Sequence, residues 1–401
     1  MYSYKSLSVI ADEGIAVLDE AGFRPESKKF DSIIVRSTKL TQSDLTDNLK
    51  CIGRAGAGVD NIPVSDATDK GIVVFNSPGA NANAVKELVV CGLLLASRGI
   101  VQGSNFSNNM ELDSFSDNTE LNKSVELNKK TFQGNEVFGK TLGIVGLGAI
   151  GSLVARAARN LGMQIIGYDP YISIESAWKL SSEVEKAESI DQLLKKSDYI
   201  SLHVPLVEDT KALINSELVK NFKKGAKLIN LSRGGIVDDL SVISALDEGI
   251  LSCYVTDFPS KEIITRSRDY NDIIVMPHIG ASTNEAKINC AVMAANQMKD
   301  FLMNGNVTNS VNFPSIVLER TTGHRIIVIN SNEPGMIGKI ADQIAEAGFN
   351  IADMSNKSKD NIAINLIDLD TKVTDELVSN LGKIDHVISC LLYTSPSPRD
   401  Q

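Results

Sequence analysis

The chain has 401 residues, 43% of them hydrophobic and 22% charged, with a formal net charge of −10 at pH 7. Two or three domains are expected at this length, and the composition is that of an ordinary folded, soluble protein. The negative charge and the lack of a Lys/Arg run argue against nucleic acid as a partner. No apolar stretch reaches the roughly 20 residues of a transmembrane helix, so we expect no membrane association.

The cysteines are scattered, with no C-x-x-C pair and no Cys/His cluster among Cys51, Cys91, Cys253, Cys290 and Cys390. This pattern predicts neither a disulfide framework nor a metal site. The opening residues, MYSYKSLSVI, are too short and too mixed for a signal peptide. We therefore expect a cytoplasmic location.

The first part of the chain alternates short apolar runs at residues 33–35 and 73–75 with helical patterns, which is typical of a parallel α/β sheet. A long helix at residues 84–97 is apolar on nearly all sides, so we expect it to be buried between domains. The polar stretch 103–130 fits either a flexible linker or exposed helix, and the sequence leaves both open.

From Lys140 the chain reads strand, glycine turn, helix and strand, and further strand-like runs alternate with helical patterns. We predict an α/β protein with two Rossmann-like domains, each built on a parallel sheet. The first domain is expected to comprise residues 1–95 and 286–312, and the second residues 96–285.

A small C-terminal module follows a composition break at residues 304–322. Residues 323–389 read strand, turn, helix, strand, strand, which is consistent with a ferredoxin-like βαββαβ unit. Residues 390–401, CLLYTSPSPRDQ, do not match the amphipathic strand that this unit needs to finish. We interpret them as a foreign tail.

A glycine turn follows an apolar strand and opens an amphipathic helix, and it reads Gly146-Leu147-Gly148-Ala149-Ile150-Gly151. In this context the first glycine allows a tight turn, the second a close approach to a pyrophosphate, and the third close helix–strand packing. Asp169 ends the next strand, where a carboxylate can bind ribose hydroxyls and repel the 2′-phosphate of NADP. We therefore predict NAD as the cofactor, with a ligand-free structural turn as the alternative.

The histidines of the chain are His203, His278, His324 and His386. Hydride transfer from an alcohol needs a base that works near pH 7, and histidine is the usual choice. His278 lies in PHIGAS at the end of a predicted strand, where open α/β sheets bind ligands. His203 lies at another strand end and is the rival, although packing beside the cofactor is its more ordinary role.

Two further residues suit the same chemistry. Arg233 follows the strand LINLS and precedes two glycines, so its guanidinium could clamp a substrate carboxylate; a surface or helix-start arginine is the alternative. Glu262 could pair with His278, hold its tautomer and raise its pKa. Taken by itself, Glu262 is more simply a solvated surface residue.

Six ordered motifs lie between Tyr4 and Ile388, namely GRAGAGVDNI, NSPGANANAVKEL, GKTLGIVGLGAIG, NLSRGGIVDD, YVTDFP and PHIGASTNEA. With these motifs the chain resembles the D-2-hydroxyacid dehydrogenase family, and within it the members that act on D-3-phosphoglycerate and carry a C-terminal ACT domain. The resemblance implies that the first domain binds substrate, the second binds NAD, and residues 323–389 form an ACT-like regulatory domain.

The resemblance also implies roles for individual residues. The catalytic set becomes Arg233, Glu262 and His278, and Arg36, Arg54 and Asn81 become substrate contacts, with the two arginines near the phosphate. As surface charges, these arginines would have no such role, but the glycines around Arg54 favour close ligand approach. The implied NAD contacts beyond the three motif glycines are Ala149, Ile150, Asp169, Leu231, Ser232, Asp257, Gly280 and Ala281.

The reaction implied by the resemblance is NAD-dependent oxidation of D-3-phosphoglycerate to 3-phosphohydroxypyruvate, the first step toward serine. ACT domains commonly bind amino acids at a dimer interface, so a homo-oligomer and L-serine contacts from Asn332 and Asn350 are also implied. Asn330 stands where some relatives have histidine, which keeps open an ACT module that only helps assembly.

Other functions stay open at this point. A hydroxypyruvate or glyoxylate reductase of the same fold would have no use for the paired Arg36 and Arg54. A non-catalytic NAD-sensing scaffold would need a partner-binding surface, for which the sequence has no motif. A regulatory amino-acid sensor would not need the complete set of dehydrogenase motifs.

Overall fold

The structure is a computed structural model that describes residues 2–172, 177–178 and 180–394. The chain folds into two compact units, unit 1 of residues 1–81 and 284–401 and unit 2 of residues 82–283. Each unit has its own parallel sheet, as predicted. Among the described residues, no helix has both the length and the apolar character of a membrane span.

The described helices, in chain order, are α1 (Asp12–Glu20), α2 (Val64–Asp69), α3 (Ala82–Ser97), α4 (Ile100–Asn108), α5 (Asn118–Asn128), α6 (Ala149–Asn160), α7 (Ile190–Lys196), α8 (Asp239–Asp247), α9 (Lys261–Asp269), α10 (Asn284–Asn304), α11 (Met336–Glu346) and α12 (Asp375–Leu381). Short 3-10 helices cover Gln42–Asp44, Leu112–Ser114, Lys129–Phe132, Glu208–Thr210 and Leu218–Asn221.

The described strands are β1 (Ser3–Leu7), β2 (Arg24–Pro25), β3 (Ser32–Val35), β4 (Cys51–Arg54), β5 (Val73–Phe75), β6 (Thr141–Val145), β7 (Gln164–Tyr168), β8 (Val184–Lys186), β9 (Tyr199–Leu202), β10 (Ala226–Asn230), β11 (Leu251–Thr256), β12 (Ile273–Val275), β13 (His324–Ser331), β14 (Ile351–Lys359), β15 (Ile362–Leu369) and β16 (Val387–Thr394).

The parallel sheet of unit 1 has the strand order β2-β1-β3-β4-β5. Every residue of β3 and β5 is buried, which is why these strands read as continuous apolar runs rather than as alternating ones. Helix α10 packs closely on α1. A Cβ added at Gly14 would lie only 2.6 Å from the Cβ of Ala291, so there is no room for a side chain at this position. The small residues at this crossing allow the two helices to approach.

The parallel sheet of unit 2 has the strand order β12-β11-β10-β9-β6-β7-β8. The order reverses between β9 and β6, and sheets of this kind bind ligands at the carboxyl ends of the strands beside such a reversal. The turn after β6 carries the predicted glycine motif. The topology therefore puts this motif where a dinucleotide is expected.

The first crossing between the units differs from the prediction. Helix α3, expected in the first domain up to residue 95, belongs to unit 2. Its Val85, Val89 and Leu93 share a core cluster with Ile144 and Val255. A helix that is apolar on nearly all sides buries its surface where a sheet face is available, so the chain crosses after residue 81; it returns between residues 283 and 284.

The polar stretch 103–130 contains most of α4, a short 3-10 helix, α5 and the start of a second 3-10 helix. Asp117 caps α5, because its side chain accepts hydrogen bonds from the backbone N–H groups of Thr119 and Glu120. Of the two interpretations that the sequence left open, the structure favours exposed helix over a flexible linker.

The C-terminal module is an antiparallel sheet in the order β14-β15-β13-β16, with α11 and α12 packed on one face. The other face packs on the core of unit 1, where Ile327 and Leu366 join a cluster with Phe301 and Phe313. The small sheet agrees with the expected ACT-like fold. However, it shares a core with the rest of unit 1 rather than standing apart from it.

The expectation that residues 390–401 do not form the last strand of this sheet is wrong for residues 390–394. Residues 387–394 form β16, which pairs antiparallel with β13. Tyr393 is only 2% exposed. Cys390 and Leu392 pack toward the helices while Leu391 and Tyr393 pack toward the core of unit 1, so a strand with apolar contacts on both faces needs no amphipathic alternation. Residues 395–401 lie outside the described residues.

The segment between α10 and β13, expected as a composition break, is held in place by a buried ion pair. Arg325 and Asp368 are both 0% exposed, and Arg325 Nε donates to Asp368 Oδ1 at 2.5 Å. The same guanidinium donates to the carbonyls of Asn304 and Leu318, each at 2.8 Å. These hydrogen bonds hold the segment between α10 and β13, called the strap below, against the small sheet.

Candidate active site

The glycine turn after β6 has the geometry of a dinucleotide site. Gly146 has a φ of +92°, which favours glycine. A Cβ on Gly151 would lie 2.0 Å from the carbonyl oxygen of Gly146, so the helix packs too closely for any side chain. Gly148, by contrast, faces open space within 4 Å. The first and third glycines thus shape the turn, while the second leaves room for a ligand at the start of α6.

Asp169 follows β7, beside this turn. Its Oδ2 accepts a hydrogen bond from the backbone N–H of Leu147 at 2.8 Å, and its Oδ1 accepts one from Tyr171 at 3.0 Å. These bonds fix a half-buried carboxylate next to the glycine turn. The position fits the predicted contact with the ribose hydroxyls of NAD.

His278 lies in a turn after β12 and is exposed, with a φ of +56°. The turn is held by Asp257, which is 1% exposed. The Asp257 carboxylate accepts hydrogen bonds from the N–H groups of Ile279 at 2.8 Å and Gly280 at 2.6 Å. The His278 N–H donates to the Asp257 carbonyl at 3.0 Å. One buried aspartate therefore fixes the backbone that presents the imidazole.

The His278 ring also contacts Phe258, with the ring centroids 5.1 Å apart. Sequence reasoning missed both this contact and the bracing role of Asp257. The signal was present in DFP, which directly follows β11, because residues at the carboxyl ends of neighbouring parallel strands lie close together.

Arg233 lies on a fixed turn after β10. Ser232 Oγ donates to the carbonyl of Val204 at 2.5 Å, and Asn230 Nδ2 donates to the carbonyl of Arg233 at 2.9 Å. The half-buried guanidinium donates only to its neighbour, the Ser232 carbonyl, at 2.8 Å within the described part of the chain. Most of its donors are thus left for a carboxylate.

Glu262 is exposed in the first turn of α9. Between Glu262 and His278, both in the described part of the chain, no hydrogen bond is present. Burial, together with the negative charges of Asp238 and Glu262, raises the pKa of Asp239. The structure thus brings Glu262 toward Asp239, and the pairing with His278 stays a prediction.

His203 suits a packing role better than a catalytic one. Burial lowers its pKa to about 4, so the imidazole is neutral and weakly basic at pH 7. Its Nε2 lies 2.9 Å from Ser201 Oγ. A Cβ on Gly146 would lie 2.6 Å from the His203 carbonyl oxygen. His203 therefore packs against the glycine turn through its backbone.

In unit 1, Arg36 follows β3 and Arg54 ends β4, and the two strands are neighbours with Val35 opposite Arg54. Burial raises the pKa of the Cys290 thiol, and the charges of Arg54 and Arg36 both oppose this rise. Both guanidinium groups therefore lie near the start of α10. Asn81 is half-buried and directly precedes α3.

The predicted effector residues are both exposed. Asn332 Nδ2 donates to the Asp360 carbonyl at 3.2 Å, and the Asn350 carbonyl accepts from the Asp370 N–H at 3.3 Å. Asn330 is 2% exposed, and its Oδ1 accepts from Asn365 Nδ2 at 2.8 Å. Asn330 therefore belongs to the interior of the small sheet.

No cluster of metal-ligating side chains is found in the ranges that the structure describes. The predicted cofactor residues, by contrast, all lie in unit 2 at or after the carboxyl ends of its strands. Leu231, Ile150 and Ala281 belong to or pack against one core cluster there. The open face at Gly148 and the braced Asp169 carboxylate fit a dinucleotide.

Residues 107–280 match the family described as D-isomer specific 2-hydroxyacid dehydrogenase, NAD binding domain. The chain is 34% identical over 348 residues to the D-3-phosphoglycerate dehydrogenase of Haemophilus influenzae. This match covers 85% of this chain and 80% of that protein. This chain belongs to the D-isomer specific 2-hydroxyacid dehydrogenase family. Its unit 2 contains the NAD-binding domain of that family, and NAD is its cofactor.

Longer relatives match this family member over only part of their length. This chain is 38% identical to the D-3-phosphoglycerate dehydrogenase of Methanocaldococcus jannaschii, and the match covers 80% of this chain and 59% of that protein. The corresponding Synechocystis enzyme is also 38% identical, with 75% of this chain and 52% of that protein covered. The chain thus spans little more than half of these relatives.

A solved structure of NAD+-bound 3-phosphoglycerate dehydrogenase from Entamoeba histolytica has a TM-score of 0.60 to this family member at 29% identity. The match covers 78% of this chain and 98% of that one. The similarity therefore takes in almost the whole of the Entamoeba protein.

Proposed function

We propose that the protein oxidises D-3-phosphoglycerate to 3-phosphohydroxypyruvate with NAD, as the first step of serine biosynthesis. The observation that carries the proposal is the turn in which buried Asp257 fixes an exposed His278. Relatives that bear the name of this activity support the choice of substrate.

When bound, NAD accepts the hydride. The glycine turn and the N-terminus of α6 would hold its pyrophosphate, and Asp169 would bind the adenosine ribose hydroxyls. A carboxylate there disfavours the 2′-phosphate of NADP through charge repulsion. Leu231, Ser232, Asp257, Gly280 and Ala281 complete the predicted contact set.

The residues of the chain would handle the substrate carboxylate and one proton. Arg233 would bind the carboxylate and so orient C2. His278 would take the proton of the C2 hydroxyl as the C2–H bond breaks and its electron pair leaves with the hydride. The new C2=O bond gives the ketone. Glu262 would then stabilise the protonated imidazole, which requires it to come closer to His278 than in this structure.

Arg36, Arg54 and Asn81 would bind the rest of the substrate. The two guanidinium groups, both near Cys290, supply the positive charge that a phosphate needs. Their pairing at neighbouring strand ends favours a phosphorylated acid over hydroxypyruvate or glyoxylate.

Three further features remain predictions. L-Serine as effector would use Asn332 and Asn350, and the cytoplasmic location follows from the cysteine pattern. A homo-oligomer is supported by large apolar side chains that are exposed in unit 2, including Leu112 at 69%, Leu127 at 81% and Phe138 at 73%.

The test measures NADH formation from 3-phosphoglycerate, and the reverse reaction from phosphohydroxypyruvate, with wild type and His278→Asn. Asparagine tolerates the left-handed backbone at this position but cannot act as the base. The matched control is His386→Asn, since His386 is also exposed and has a φ of +74°.

Loss of at least about a thousandfold in kcat for His278→Asn alone would support the proposal, at the scale of general base catalysis. Wild-type activity confined to hydroxypyruvate or glyoxylate would overturn the substrate. Inactivity on every acid with NADH still bound would overturn the enzymatic function and favour a sensing scaffold.

A further inference from the structure

The backbone that carries Arg54 is held by two neighbouring residues that directly follow β5. The Ser77 N–H donates to the carbonyl of Gly56 at 2.9 Å. Asn76 Nδ2 donates to the carbonyl of Ala57 at 2.6 Å. Hydrogen bonds to the carbonyl groups of Gly56 and Ala57 thus fix the loop from Arg54 to Ala57.

The Ser77 hydroxyl fastens the start of the same loop. Ser77 is 0% exposed. Its Oγ lies 3.1 Å from the carbonyl oxygen of Arg54 and 2.8 Å from that of Cys290. A hydroxyl has a single proton to donate, so the two carbonyls share it. One buried side chain therefore ties the end of β4 to the beginning of α10.

The Arg54 guanidinium depends on this backbone. A Cβ on Gly56 would lie 1.6 Å from Arg54 Nη1, so the side chain folds directly over Gly56. The adjacent Ala55 N–H donates to the carbonyl of Val35 at 2.8 Å, and Val35 precedes Arg36. A shift of the loop would displace Arg54 and loosen the link to Arg36.

We propose that Ser77 is a positioning residue that sets the preference of this protein for phosphorylated substrates. It acts through the backbone of residues 54–57, which places the Arg54 guanidinium where a phosphate can bind. Asn76 supports the same loop through the Ala57 carbonyl. The inference rests on the proposed function, in which Arg36 and Arg54 bind the substrate phosphate.

The experiment compares wild type, Ser77→Ala and Ser77→Thr in the full chain. The matched control is Ser32→Ala, since Ser32 is also 0% exposed in unit 1 and also donates to a backbone carbonyl, that of Ser3 at 3.2 Å. KM and kcat are measured for 3-phosphoglycerate and for unphosphorylated D-glycerate, together with the Kd for NADH. Hydrogen–deuterium exchange follows the amides of residues 54–58.

For Ser77→Ala we expect the KM for 3-phosphoglycerate to rise about tenfold, the scale of one hydrogen bond. The KM for D-glycerate and the Kd for NADH should stay unchanged, and the amides of residues 54–58 should exchange faster. Ser77→Thr keeps the hydroxyl and should recover the selectivity, and Ser32→Ala should not change it.

An equal loss on both substrates, or an unchanged KM ratio, would overturn the positioning role. If wild type does not turn over either acid, the proposed function fails, and the exchange of residues 54–58 and the binding of inorganic phosphate then decide on Ser77. If Ser77→Ala does not fold, Asn76→Ala replaces it, because Asn76 is only half-buried. The same changes in KM ratio and exchange are expected for that variant.

Discussion

Asp257 and Asp169 show how single carboxylates organise the candidate site. Each accepts two backbone N–H groups, and each follows the end of a strand in unit 2. Bonds from N–H groups to a carboxylate are stronger than those between neutral groups. Two turns that would otherwise be loose are therefore fixed before any ligand binds, which lowers the entropic cost of binding.

His203 provides a test of burial at the scale of a single residue. Its pKa is lowered from 6.5 to about 4, so the unfolded chain binds a proton more readily than the folded one. The effect on stability is absent above about pH 6.5 and grows as the pH falls toward 4. Between pH 7 and pH 4, wild type should lose on the order of 2–3 kcal/mol more unfolding free energy than His203→Gln.

Urea unfolding at a series of pH values measures this difference. The control is His386→Gln, which removes an exposed histidine and should follow the wild-type pH dependence. If the unfolding free energies of wild type and His203→Gln changed with pH in parallel, the folded protein would not lower the pKa of His203, and the prediction would be wrong.

At the scale of elements, β16 decides whether the small sheet is complete. It pairs with β13 along most of its length, and β13 lies between β15 and β16. Without β16, one edge of β13 would lose its hydrogen-bond partners. Tyr393 would also leave the core of unit 1.

Two truncated chains test this role. A chain that ends at Ser389 lacks most of β16, whereas the control chain ends at Thr394 and retains all of it. We expect the shorter chain to be less stable by on the order of 3–5 kcal/mol. It loses the buried aromatic side chain of Tyr393, and one edge of β13 is left without hydrogen-bond partners. Equal urea midpoints for the two chains would show that β16 contributes nothing to the fold.

At the scale of the whole molecule, the C-terminal sheet is part of unit 1 rather than a detachable module. The Arg325–Asp368 pair joins β13, β15 and the strap between α10 and β13. Burial raises the pKa of Asp368, but the hydrogen bond and the charge of Arg325 outweigh it and lower the pKa below its usual value. The ion pair is therefore charged at neutral pH and holds the strap onto the sheet.

Replacing one partner of the Arg325–Asp368 pair should destabilise the contact between the strap and the small sheet. Arg325→Met leaves a buried carboxylate without its partner and should cost about 3–5 kcal/mol of unfolding free energy. The double variant Arg325→Met with Asp368→Leu should regain most of that loss, because no buried charge remains. Urea unfolding measures both effects.

Lys196→Met serves as the control, since it removes one partner of the exposed pair with Glu185 and should cost less than about 1 kcal/mol. A similarly small cost for Arg325→Met would contradict a structural role for the buried pair. Failure of the double variant to recover would place the effect in packing rather than in charge.

Local patterns were sufficient to predict much of this protein. The strand, glycine turn and helix at residues 141–160, the NAD domain, and the family were predicted from residues that are neighbours along the chain. These features depend on backbone requirements, such as the left-handed Gly146 and the closely packed Gly151, that only certain residue types satisfy. A short-range requirement leaves its mark in a short stretch of sequence.

Features that join distant residues depended on the tertiary structure. Four features link segments that are separated in the chain: the position of α3 in unit 2, the packing of both faces of β16, the brace from Asp257 to the His278 turn, and the hydrogen bonds from Ser77 to the Arg54 loop. A single sequence records the polarity of each segment but not its partner, and burial of an apolar surface is favourable against any complementary surface. The fold alone decides which surface that is.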